Sequence, residues 1–211
     1  MIVFLHGFLG QKSDWDQVIE WLPHPCIAFD LPGHGSSSID FDLFSQLDKL
    51  PPFHLVGYSM GGRIARQYPG PVKSLTLIST NPGLKTDVAK SARLKSDTEL
   101  AKDLLSMPVD EFLKRWYDQP LFKTLREKVD ILKLRNEQDR EGLAAALVKY
   151  SLGSYEVTEK KAHHIIGADD SAYRSLYANI PHTLIPNAGH AIHLENPTQL
   201  AKEIHEHMLS I

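Results

Sequence analysis

The chain has 211 residues and a net charge of −3, and that charge gives no support to nucleic-acid binding. Apolar residues make up 42% and charged residues 23%, an ordinary globular balance, and no apolar run is long enough to span a membrane. The one cysteine, Cys26, excludes an internal disulfide and is compatible with a reducing compartment, so a cytoplasmic location is expected.

Ile2 to Leu5 is a continuous apolar run, as in a strand covered on both faces. It lacks a basic start and meets His6-Gly7 at once, so it reads as a strand and not a signal peptide. Ser13 or Asp14 can cap a helix through Trp15, Val18, Ile19 and Leu22, which Pro23 and Pro25 end. Ile27-Ala28-Phe29 is the next strand, followed by the turn Asp30-Leu31-Pro32-Gly33-His34-Gly35. A helix over 41–50 stops before Pro51-Pro52. Phe53, Leu55 and Val56 then form a strand that runs into Gly57-Tyr58-Ser59-Met60-Gly61, and a helix follows through Arg63-Ile64-Ala65-Arg66. Val72 to Ser79 is a further strand. Strands alternating with helices predict an α/β domain with a mostly parallel sheet and helices on both faces.

After Asn81-Pro82-Gly83 the alternation breaks. Val109, Phe112, Leu113 and Trp116 fall at helical spacing; Leu121, Leu125, Val129 and Leu132 form a second stripe, and Leu143, Leu147 and Tyr150 a third. We read one domain over 1–211 with a helical cap inserted at about 84–158. Residues 85–161 carry 16 Lys+Arg and 14 Asp+Glu, so the insert is net basic in an acidic chain. That asymmetry hints at an anionic ligand, and solvated helix faces explain it equally well. The sheet resumes at Ala162 to Gly167 and again at His182 to Ile185, and Pro197 opens a last helix with Leu200, Ile204 and Met208 on one face.

The chemistry centres on Gly57-Tyr58-Ser59-Met60-Gly61. In a sharp strand-to-helix turn, flanking side chains would collide, and the two glycines remove them, leaving Ser59 exposed at the tip. A serine hydroxyl needs an imidazole to take its proton, and the imidazole needs an acid to fix its tautomer. Asp170 and His190 follow in that order, each on a loop after a strand; Asp170 is preferred to its neighbour Asp169, and His190 to the other ten histidines. His163 and His164 fall inside a strand, and His205 and His207 fall on the last helix, where solvation is expected. The backbone N–H groups of Phe8, in His6-Gly7-Phe8, and of Met60 are the candidate oxyanion donors. No metal-ligand spacing, P-loop or dinucleotide-binding glycine pattern is present, so no metal or cofactor is expected.

These segments, with Ala188-Gly189-His190, resemble the α/β-hydrolase fold over nearly the whole chain. Arg63 directly after the serine turn, and Trp116-Tyr117-Asp118-Gln119-Pro120-Leu121-Phe122 in the insert, narrow the resemblance to the MenH family, 2-succinyl-6-hydroxy-2,4-cyclohexadiene-1-carboxylate synthases of menaquinone biosynthesis. The resemblance implies a lyase whose serine, as a base, removes a substrate proton so that pyruvate is eliminated without an acyl-enzyme. It implies a small polycarboxylate substrate held by arginines, at the positions of Arg63, Arg93 and Arg135, with Tyr58, Trp116 and Tyr117 lining the pocket. Guanidinium suits that task because its planar fork binds carboxylate through two bonds. The chain departs from the fold's usual pattern by a shortened N-terminus, starting at what is ordinarily the third strand. An ester or thioester hydrolase on the same triad is the alternative, and a binding module without catalysis is a third reading.

Overall fold

The computed structural model describes residues 1–135, 139–158 and 160–210. Among them, six strands form one all-parallel sheet: β1 (Ile2–Leu5), β2 (Cys26–Phe29), β3 (His54–Tyr58), β4 (Ser74–Ile78), β5 (His163–Gly167) and β6 (Thr183–Ile185). Their spatial order is β2-β1-β3-β4-β5-β6. Every residue of β1 is fully buried, as its unbroken apolar run requires of a strand covered on both faces. The chain steps from β1 out to β2 and then back across to β3. Ligands on such sheets bind where loops at the carboxyl ends of neighbouring strands diverge, and the loops after β1, β3, β5 and β6 share that edge.

The helices between strands are α1 (Asp16–Ile19), α2 (Leu43–Leu47) and α3 (Met60–Gln67). The first differs from the sequence expectation. A 3-10 turn at Lys12–Trp15 precedes it, and Gln11, not Ser13 or Asp14, sits at the cap. The Asp14 carboxylate instead accepts from the Gln11 amide at 3.3 Å. Asp42 caps α2 through the Ser45 amide at 3.1 Å, which trims the helix expected over 41–50.

The segment between β4 and β5 folds as α4 (Asp87–Ser106), α5 (Val109–Tyr117), α6 (Lys123–Lys128) and α7 (Arg140–Lys149). Leu104 on α4 is buried, as are Leu143, Ala144 and Leu147 on α7, and these two helices pack together. Full burial of each leucine stabilises by about 1.5–3 kcal/mol. The stripe Leu121, Leu125, Val129, Leu132 is not one helix. Pro120 opens a 3-10 turn at Pro120–Phe122, Val129 is extended, and a second 3-10 turn runs over Ile131–Arg135. The rest of the sheet is followed by α8 (Ser171–Leu176), α9 (Ile192–Glu195) and α10 (Pro197–Leu209). The histidines of α10 are not simply solvated: His205 bonds His24 at 2.9 Å, and His207 stacks on His163 at 4.1 Å between ring centroids.

One ion pair ties the insert to the loop after β1. Arg135 donates through both terminal nitrogens to Asp14, at 2.8 Å each, and its Nε lies 3.1 Å from the Tyr117 hydroxyl. Both side chains are 3% exposed. Burial opposes the guanidinium charge, but Tyr117 and Asp14 outweigh it and its pKa is raised. Removing one partner leaves the other buried and unpaired, which costs roughly 3–5 kcal/mol. Arg135→Met should therefore lower unfolding free energy by about that much, read from denaturant midpoints. The double variant with Asp14→Asn should lose less than the two single losses combined. Additive losses would show that the pair is not coupled.

Candidate active site

Ser59 stands between β3 and α3 with φ 50° and ψ −109°, a left-handed conformation that a residue with a Cβ rarely adopts. Two glycines permit it. A Cβ on Gly57 would stand 2.6 Å from the Gly61 carbonyl oxygen, and one on Gly61 would strike the carbonyls of Leu5 and His6. The turn is pinned by the Ser59 amide donating to Ile78 at 2.9 Å and the Arg63 amide donating to Ser59 at 3.2 Å. Both ends of the elbow are thus anchored in the sheet and the helix.

Asp170 is at the end of the loop after β5 and caps α8, its Oδ1 accepting from the Tyr173 amide at 3.0 Å. Its Oδ2 lies 2.9 Å from His190 Nδ1. Asp170 is buried and Asp169 exposed, so the geometry picks out Asp170. An ionised carboxylate only accepts, so Nδ1 carries the proton and Nε2 is left as a base. The His190 ring packs against Tyr173 at 4.6 Å, Tyr58 at 5.4 Å and Phe122 at 5.9 Å.

Ser59 and His190 line one cavity of about 290 Å³ with Phe8, Met60, Arg63 and Arg93. Trp116 and Phe122 form its wall on the insert side. Phe8 meets Trp116 edge to face at 5.0 Å, so the β1 loop and the insert touch through aromatic rings. Arg63 is buried, donates to the Tyr150 carbonyl at 2.8 Å, and has no ion-pair partner among the described residues. Burial lowers its pKa to about 10, so an anion alongside would be strongly favoured. Arg93 pairs with Asp97 at 2.8 Å, and Asp97 also accepts from Ser151 at 2.7 Å.

Arg135 is not with these two. It lines an adjoining, narrow cavity of about 40 Å³ with Tyr58, Tyr117 and His193, which shares Phe8, Ser59, Trp116 and Phe122 with the first. The sequence put three arginines around one ligand; the structure brings Arg63 and Arg93 together and commits Arg135 to Asp14. A larger, open cavity of about 720 Å³ lies elsewhere, between α5 and α6, and holds none of the residues above except Tyr117.

Several residues at the site had no signal in the sequence reading. Tyr173 and Asn81 line the cavity of about 290 Å³ with Ser59 and His190, and burial raises the Tyr173 pKa to about 12, keeping its hydroxyl neutral. Tyr173 falls three residues after Asp170, where a capping turn returns a residue to the cap; that spacing could have found it. His193 lies under Tyr58, 4.3 Å between ring centroids, and against Trp15 at 4.8 Å. The Glu195 carboxylate bonds the amides of Gly189 and Ala191.

Three buried histidines surround the site as neutral rings. Burial lowers His6 to about 4, His34 to about 3 and His193 to about 3. His6 accepts from the Leu31 amide at 2.9 Å through Nε2, and its Nδ1 donates to the Gly7 carbonyl at 2.7 Å. The unfolded chain takes up these protons below about pH 6.5, whereas the folded protein resists until about pH 3–4. Stability is therefore complete above that upper pH and falls as pH drops, by roughly 1.4 kcal/mol per pH unit per histidine. Denaturant unfolding at about pH 7 and pH 5 should show this loss, and His34→Gln should make the slope shallower by one histidine's share. A flat profile over that range would contradict the neutral assignments.

A family model described as the alpha/beta hydrolase family matches residues 2–203. The 2-succinyl-6-hydroxy-2,4-cyclohexadiene-1-carboxylate synthase of Enterobacter sp. (strain 638) is 34% identical over 227 residues, covering 95% of this chain and 88% of that protein. The protein of the same name from Serratia proteamaculans (strain 568) is 30% identical over 237 residues, covering 99% and 93%. The structure of MenH from S. aureus superposes with a TM-score of 0.87 at 28% identity, covering 99% of this chain and 92% of that one. A thermophilic esterase from Thermogutta terrifontis shares the fold, with a TM-score of 0.71 at 19% identity, covering 99% and 89%.

Proposed function

The chain belongs to the MenH family, the 2-succinyl-6-hydroxy-2,4-cyclohexadiene-1-carboxylate synthases among the alpha/beta hydrolases, and we propose that it is a lyase of menaquinone biosynthesis that eliminates pyruvate from a succinyl-enolpyruvyl-hydroxycyclohexene-carboxylate. The observation that carries this reading is the single cavity in which Ser59 and His190 stand beside Arg63 and Arg93. Hydrolysis of a neutral ester needs the first pair and not the second. A substrate with several carboxylates needs both.

In this reading His190 Nε2 takes the Ser59 proton as the serine oxygen takes a proton from a ring carbon of the substrate. Asp170 holds the imidazole in the required tautomer and stabilises its charged form. The electrons of the broken C–H bond form a ring double bond, and the enolpyruvyl oxygen departs with its own bonding pair. That oxygen is reprotonated from the imidazolium, and the released enol becomes pyruvate. No bond forms between Ser59 and the substrate. Negative charge that develops on a substrate oxygen would meet the Phe8 and Met60 backbone N–H groups, and one such donor contributes about 3 kcal/mol to a transition state. Arg63 and Arg93 would hold carboxylates, with Tyr58, Trp116 and Tyr117 shaping the walls. Arg135 would act on the substrate through the wall it builds with Asp14 and Tyr117.

The test is incubation with the enolpyruvyl precursor, following pyruvate release beside a panel of simple esters. Ser59→Ala and His190→Ala should each lose on the order of a thousandfold or more in kcat, because the triad acts as a unit. Asp170→Asn should slow turnover heavily and leave the fold intact, while Asp169→Asn should do little. Near-parental turnover in either folded alanine variant would remove the triad from the reaction.

The arginines separate the lyase from an esterase. A charge-assisted hydrogen bond contributes roughly 1.5–3 kcal/mol, so Arg63→Ala and Arg93→Ala should each reduce kcat/KM for the precursor about ten- to a hundredfold or more. Lysine at either position should recover only part, since it keeps the charge and loses the fork. Turnover of a small neutral ester should barely change. Efficient ester cleavage by the parent protein with no pyruvate from the precursor would replace this reading with the hydrolase.

A further inference from the structure

The loop that carries His190 is held by a side chain outside the triad. The Glu195 carboxylate accepts from the Gly189 amide at 2.8 Å through Oε2, and from the Ala191 amide at 3.0 Å through Oε1. These are the backbone amides of the two residues on either side of His190. We propose that Glu195 is a positioning residue for His190: it grips both flanking amides and so fixes where the imidazole stands over Ser59. The inference rests on the triad reading and adds a residue to it.

The ring of His190 is oriented by its bond to Asp170 and by Tyr58, Tyr173 and Phe122. Those contacts set the ring's tilt and leave the height of its backbone open. The backbone here has no regular ladder to follow. Asn187 is left-handed at φ 54°, and Ala188, Gly189, His190 and Ala191 are all buried. Buried amides need acceptors. The chain turns into α9 within two residues of His190, and Glu195 at the end of that helix reaches back to the start of the loop. A carboxylate suits this place because both of its oxygens accept. A glutamine would satisfy one amide and turn an N–H toward the other.

The insert reaches the same loop. Lys128 on α6 donates to the Asn187 carbonyl, and a Cβ on Gly189 would strike Thr124. Glu195 therefore clamps the loop from its own helix while α6 closes over it.

The experiment uses the full chain and measures pyruvate release from the precursor between about pH 5.5 and 8.5 for the parent, E195Q, E195D and H190A. A displaced base costs mostly in kcat, so E195Q should lose roughly ten- to a hundredfold in kcat with KM within about twofold. E195D keeps both accepting oxygens and shortens the reach, so it should recover part of kcat with KM close to the parent's; if E195Q does not fold, E195D carries the test by that split. Parental kcat in E195Q or an effect confined to KM would each overturn the proposal. An inactive H190A beside an unaffected E195Q removes the clamp alone, whereas an active H190A removes the triad reading and the clamp with it.

Discussion

The site depends on one strained residue. Ser59 holds φ 50° and ψ −109° where most side chains would refuse it, at a cost on the order of 1–3 kcal/mol. Such a conformation persists only when its surroundings over-determine it. Here β3 is buried on both faces and hydrogen-bonded to β1 and β4, and α3 begins at the next residue. The missing Cβ atoms of Gly57 and Gly61 let the helix start close against the ends of β1 and β3. The buried sheet supplies the rigidity, and the elbow converts it into a fixed position for one hydroxyl oxygen.

The insert completes what the sheet begins. The β1 loop brings Phe8, and the insert brings Trp116 and Phe122; together they wall the cavity over Ser59. The contact is apolar and edge to face, which adds about 0.5–1.5 kcal/mol per pair beyond the area buried. Asp14 and Arg135 fasten the same two segments by charge, in a place water does not reach. Aromatic packing fixes spacing, and the ion pair fixes register, because a bidentate guanidinium tolerates little sliding. The position of the cavity wall therefore follows from contacts between residues more than 100 apart in the chain.

That distance explains what could be read from the sequence. The strands, the serine turn, and the loops carrying Asp170 and His190 are local signals: apolar runs, Gly and Pro punctuation, and a fixed order along the chain. They are legible, and of the two neighbouring aspartates it is Asp170 that lies against His190 in the structure. The broken stripe from Leu121 to Leu132 is not legible, because its apolar spacing suits a helix while Pro120 and the extended Val129 interrupt it. The pairing of Arg135 with Asp14 is not legible for a different reason. An arginine has the same appearance in a sequence whether it is waiting for a ligand or already paired, and only the fold shows Asp14 beside it. Glu195 had no periodic signal, since its partners are backbone amides of its own loop.

The three arginines then form a graded set, and the grading bears on what the cavity can hold. Arg135 is fully neutralised by Asp14, so a ligand carboxylate there would have to compete with a buried bidentate pair. Arg93 shares its charge with Asp97, itself engaged by Ser151. Its side chain is 38% exposed, and it lines the cavity. Arg63 has no carboxylate partner among the described residues, and burial already weighs against its charge. A buried cation in that state gains most from an arriving anion, because the ligand removes a penalty and adds an attraction. An arriving carboxylate would therefore gain most at Arg63, one helical turn from Ser59, and less at Arg93, whose charge Asp97 already shares. A ligand with more than one anionic group would fit that gradient, and a neutral ester gains nothing from it.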